Sequence, residues 1–173
     1  MASYYYLISS LPNLRSDGEM PISYDEFLDC CKTNVSETTY ELLTNLTLDS
    51  DKGPLMKEWA AVYGMLTKEL NYQRSINLGK SYSNSFEKDS LITQVAAAAL
   101  KAKNPLEAEK ILLDYEFELL DSLVGLHAFD DHVLFGYAMK LKLLERQDCF
   151  EQTKGKAEFK NLFDQVQQRV YSL

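Results

Sequence analysis

The sequence predicts an all-α fold: one bundle-like domain of about seven helices over residues 1–173, with a short extended segment at the N-terminus. Three observations carry this. Apolar residues recur at helical spacing, as in Leu55, Trp59, Val62, Tyr63, Leu66 and Leu70. Capping residues stand where such stripes begin, and no convincing alternating strand occurs. The 173 residues hold only 7 Gly and 4 Pro against 11 Tyr and 8 Phe, which is not a disordered composition. A chain of this length fits one domain and can bury a core without metals or disulfides.

The elements follow in order. Tyr4 to Ile8 is short, aromatic and β-branched, and reads as a strand or extended arm ended by Leu11-Pro12-Asn13. Ser23-x-x-Glu26 is a capping box ahead of Phe27, Leu28 and Cys31. A short helix is expected from Ser36 through Tyr40, Leu43 and Leu46. Pro54 suits the first position of the next helix, where its missing N–H costs nothing. That helix carries Leu55 to Leu70, and a break is expected near 77–89. An Ala-rich helix then spans Leu91 to Lys103, with Asp89 or Ser90 as cap. Asn104-Pro105 opens a helix that stops at Gly125. Another helix starts after Asp130-Asp131 and runs through Leu144. The last carries Phe159, Leu162, Phe163, Val166 and Val170.

Charge excludes some function classes. With 18 Lys and Arg against 26 Asp and Glu, the net charge is −8. Nucleic-acid backbones need clustered cations to displace counterions, and anionic lipid needs the same, so neither is an expected partner. The longest uncharged apolar stretch, Leu91 to Leu100, is half of what a membrane span needs, about 20 residues. The N-terminus lacks the basic and apolar regions of a signal peptide. Three Cys (Cys30, Cys31 and Cys149) make no framework and fit a reducing compartment, so the expected location is cytoplasmic. The sequons at Asn34 and Asn45 then read as chance matches.

The charge comes in blocks: net −6 over 1–53, +3 over 54–103, −7 over 104–131 and +2 over 132–173. On one helix, Asp114, Glu118 and Asp121 fall on one face. This ridge, with Asp130 and Asp131 nearby in sequence, is the candidate docking surface for a basic partner. The plainer reading is a solvated face, or neutralisation within the chain by Lys140, Lys142 or Arg146.

No catalytic residue is assigned. Gly79-Lys80-Ser81 resembles the end of a phosphate-binding loop, but the glycine required five residues earlier is Arg74. Without a glycine-rich turn no nest of N–H groups can cradle phosphates, so Gly79 reads as a helix cap. His127, Asp130, Asp131 and His132 place four possible metal ligands in six residues. On a single helix the two His would point about 140° apart. No metal or cofactor site is therefore expected, and a carboxylate/His metal-dependent enzyme stays an alternative. Cys30-Cys31 is no Cys-x-x-Cys dithiol, and nothing around Cys149 builds a nucleophile.

Two stretches together resemble a known family. One is Tyr4-Tyr5-Tyr6-Leu7-Ile8-Ser9-Ser10-Leu11-Pro12. The other is Asn104-Pro105-Leu106-Glu107-Ala108-Glu109 followed by the tract Phe129 to Arg146, with its Tyr137-Ala138-Met139-Lys140-Leu141-Lys142-Leu143-Leu144-Glu145. This is similar to a small bacterial family encoded among the genes of V/A-type ATPases. That family is itself like a shortened form of the C-type (also called d-type) central-stalk protein of these ATPases. The resemblance implies a non-catalytic accessory or central-stalk piece that couples the soluble head to the membrane rotor in proton or sodium transport. It implies other stalk or rotor subunits as partners, no cofactor, and a place peripheral to the membrane through the complex. The chain is shorter than the full-length C-type protein, whose repeated bundles make a funnel, so that whole shape is not implied. A generic helical protein-binding adaptor is the alternative.

Overall fold

The computed structural model describes residues 4–82, 86–148, 160–165 and 167–168. These residues are helical with connecting loops, and no strand occurs among them. The helices are α1 (Tyr5–Ser10), α2 (Tyr24–Cys31), α3 (Glu37–Thr44), α4 (Met56–Asn77), α5 (Ser90–Lys101), α6 (Pro105–Val124) and α7 (Asp131–Asp148). Residues 160–165 and 167–168 are also helical. The all-α class stands.

Local chemistry sets most boundaries. Ser23 accepts from the Glu26 N–H while the Glu26 carboxylate accepts from the Ser23 N–H, completing the capping box of α2. Ser36, Asp89 and Asn104 likewise accept from first-turn N–H groups of α3, α5 and α6. Asp130 does so for α7, accepting from the N–H groups of His132 and Val133. Helix α4 ends in a left-handed cap at Gly79, φ +66. The Lys80 N–H bonds Ser75 O and the Gly79 N–H bonds Ile76 O, so orphan carbonyls of the last turn are satisfied. Gly79-Lys80-Ser81 is therefore a helix stop and not a phosphate loop.

Two expectations fail. The N-terminal segment is not extended from Tyr5 onward: Tyr5–Ser10 is helical. Aromatic and β-branched residues favour strands only where a sheet neighbour exists, and none occurs among the described residues. Here the segment docks by tertiary contacts. The Tyr4 N–H donates to Phe129 O at 2.7 Å, and Leu7 is buried in the core. Pro54 does not open α4 either. Gly53 (φ +120) and Leu55 (φ +56) make a tight turn, and the helix begins at Met56. A Cβ on Gly53 would lie 2.7 Å from Phe135 Cε1, so close packing on α7 and the positive φ both require glycine here.

Consecutive helices α4, α5, α6 and α7 pack on one another, while α2 and α3 lie against α7. The core has two parts. The larger joins α1, α2, α3, the start of α4, α6 and α7 around Phe27, Leu43, Trp59, Leu120 and Phe135. The smaller joins α4, α5 and α6 through Leu66, Leu70, Ile92 and Ala96, where small side chains let the helices approach. Trp59 is fully buried, donates from Nε1 to Leu48 O at 2.8 Å and stacks on Tyr63. Helix α7 is the central element. Leu134, Phe135, Ala138, Met139, Leu141, Leu143 and Leu144 are all buried, so the tract that carries the family resemblance is chiefly core. Phe159, Val166, Val170 and Cys149 lie outside the described residues. Leu162 and Phe163 lie on the last described helical stretch and are exposed.

Candidate functional site

Three polar features stand out, and α6 and α7 build all of them. The first is an open groove of about 570 Å³ between α6 and the loop at 14–17. Asp114, Glu118 and Asp121 line it, so the ridge expected from i,i+4 and i,i+3 spacing forms on one helix face. Cations line it too: Arg15, Lys110 and Lys140. Lys140 crosses from α7 to Asp121 at 2.5 Å, and its ammonium also lies over the Phe117 ring. Arg15 pairs with Asp17, whose carboxyl it holds below the usual carboxylate range. Among the described residues Asp114 and Glu118 make no ion pair, so they are the part of the ridge open to a partner.

Asp130 and Asp131 do not line this groove. Both are at the start of α7 and are occupied within the chain. Asp131 accepts from the Tyr4 hydroxyl at 2.9 Å. Asp130 Oδ1 caps α7 and Oδ2 faces His127 Nδ1 at 2.6 Å. Burial would raise the Asp130 pKa, but the hydrogen bond from His127 and the Val133 N–H bring it below the ordinary value.

The second feature is a buried ion cluster between α6 and α7. Arg146 donates to Glu109 Oε1 at 2.6 Å and to both oxygens of Glu116. Glu116 is 2% exposed and Glu109 8%. Burial pushes the Glu116 carboxyl up, against the pull of Arg146. Burial would lower the Arg146 pKa, but the two carboxylates raise it above the ordinary arginine value. A smaller cavity of about 190 Å³, lined by Tyr63, Asn71 and Arg74 among others, opens beside this cluster. Arg146 thus serves Glu109 and Glu116, and Lys142 serves Glu145 and the Tyr24 ring. Of the three cations considered for the ridge, only Lys140 neutralises it. Sequence spacing carried a signal for this cluster, since Glu109 and Glu116 are two helical turns apart on one face. The partner on α7 was not legible. Glu69 was also missed: it is buried on α4, one oxygen bonded to Gln73 and the other without a partner among the described residues.

The third feature is the turn between α6 and α7. The spacing argument against His127 and His132 assumed one helix. The structure overturns it, because His127 precedes α7 and the turn folds back at Gly125, φ +55. The two imidazoles stack, centroids 3.8 Å apart and 7° from parallel. No protein-family model, no curated protein and no solved structure matches the chain.

Proposed function

We propose that this chain is a non-catalytic helical docking protein, and that its partner is a stalk or rotor subunit of a V/A-type ATPase. The observation that carries the docking reading is the groove beside α6. Asp114 and Glu118 sit there one helical turn apart with no ion pair among the described residues, while their neighbour Asp121 has one. Like charges at i,i+4 cost a few tenths of a kcal/mol in an isolated helix, and a basic partner surface offsets that cost. The ATPase assignment rests on the resemblance of the stretches 4–12, 104–109 and 129–146. A stalk piece needs a stiff body, and the buried α6–α7 ion cluster and the α7 core supply one. No described helix is long and apolar enough to cross a membrane, which fits attachment through other subunits.

The test is co-purification of the ATPase complex with the tagged chain. An Asp114→Lys, Glu118→Lys double variant is the better choice than one at Asp121, because Asp121 also ties α6 to α7. Loss of the stalk subunits from the variant's eluate, with its helical content unchanged, is the expected result. Recovery of no ATPase subunit by the wild-type chain would refute the assignment. Recovery of a different partner, lost in the variant, would leave the adaptor reading in its place.

A further inference from the structure

We propose that His127, Asp130 and His132 form a binding site for one divalent zinc ion, which staples the α6–α7 turn onto the first turn of α7. The set is chemically apt: two imidazoles and one carboxylate are ligands that zinc accepts, and a water completes four-coordination. One ligand atom from each of the three residues lies within 4.8 Å of the others. In a tetrahedral site with Zn–N of 2.0–2.1 Å, neighbouring ligand atoms are about 3.3 Å apart. Closing that gap takes side-chain rotation, of exposed His127 and of the half-buried Asp130 and His132.

The support around the three residues is already in place. Asp130 Oδ1 is fixed by the N–H groups of His132 and Val133, leaving Oδ2 directed at His127 Nδ1. Such outer contacts orient a ligating carboxylate. The His127 N–H bonds Val124 O, which fixes the turn. The two rings are parallel and stacked, so one of them has to turn for both imidazoles to ligate one ion. Asp131 is not a ligand, because it is turned toward the Tyr4 hydroxyl. The neighbouring Phe129 carbonyl accepts from the Tyr4 N–H, so the stapled turn is also the seat of α1. None of the ligands lines the acidic groove, and the role proposed for the ion is structural, since its ligands join the α6–α7 turn to the first turn of α7.

The experiment uses the full chain, freed of metal by chelation and titrated with zinc chloride by calorimetry and with cobalt chloride by visible absorption. The expected results are one zinc per chain, a tetrahedral cobalt spectrum, and a rise in melting temperature that chelator reverses. Magnesium chloride should do none of this. His127→Ala and His132→Ala should each weaken zinc by more than the roughly 10–100-fold that outer contacts are worth. Asp130→Asn keeps the helix cap, since Asn caps as well as Asp, and should still weaken zinc at least about tenfold. Amide exchange at Tyr4 should slow on adding zinc. Absence of stoichiometric zinc binding by the wild-type chain overturns the proposal. So does zinc binding that survives in both histidine variants.

Discussion

Replacing Arg146 with Met should destabilise the protein by about 3–5 kcal/mol at neutral pH, the range for removing one partner of a buried ion pair. Met keeps an unbranched apolar stem of roughly similar volume, so the loss reports chiefly on charge. Three hydrogen bonds disappear together, one to Glu109 and two to Glu116, and both carboxylates remain in the interior. A single domain is stable by about 5–15 kcal/mol, so the variant should fold but melt about 6–20 °C lower. The loss should also depend on pH. Burial already raises the Glu116 pKa above its ordinary 4.5, and removing the guanidinium raises it further. A carboxyl whose folded pKa is raised adds stability below its unfolded value and loses it as pH rises through the folded value. The deficit should therefore be largest at neutral pH and shrink as pH falls toward that ordinary value. Urea unfolding of both proteins, followed by circular dichroism and Trp59 fluorescence at several pH values, measures it. The triple variant Arg146→Met, Glu109→Leu, Glu116→Leu should recover most of the loss, because no buried charge is left over. A deficit under about 1 kcal/mol, or one independent of pH, would refute the reasoning.

Other outcomes follow from single sites. Trp59→Ala should cost about 3–5 kcal/mol in the same unfolding assay, since a fully buried indole and its bond to Leu48 are lost. Gly136→Ala should cost about 1–3 kcal/mol, because its Cβ would meet Val124 Cγ2 at 2.5 Å where α7 crosses the end of α6. In a Cys149→Ser background, iodoacetamide at pH 8 should label exposed Cys30 in the native protein and spare Cys31, whose thiol burial pushes up to about 12; adding Cys30→Ser should abolish the mass gain.

How much of this was legible in the sequence depended on the range of the interaction. Caps are local, so Ser23, Ser36, Asn104 and Gly125 marked helix ends correctly from neighbours three or four residues away. The ridge of Asp114, Glu118 and Asp121 was legible for the same reason. The misses all needed contacts distant in sequence. Tyr5–Ser10 is helical because Tyr4 and Leu7 meet the α7 turn and the core more than a hundred residues away. Pro54 looks like a helix opener, but it lies in a turn between Gly53 and Leu55, both at positive φ, where Phe135 leaves no room for a Cβ on Gly53. His127 and His132 looked divergent because the spacing rule assumed one helix across a turn. Which cation serves which carboxylate is set by the α6–α7 register, and so Lys140 goes to Asp121 while Arg146 goes inward.

The central claim, that the α6 face docks a basic partner, is tested most directly by association kinetics on immobilised ATPase stalk proteins at low and moderate salt. The account expects the association rate to fall as salt rises and to drop in the Asp114→Lys, Glu118→Lys variant, with dissociation changing less. Equal association rates for wild type and variant at both salt concentrations would contradict it and leave the ridge a solvated face.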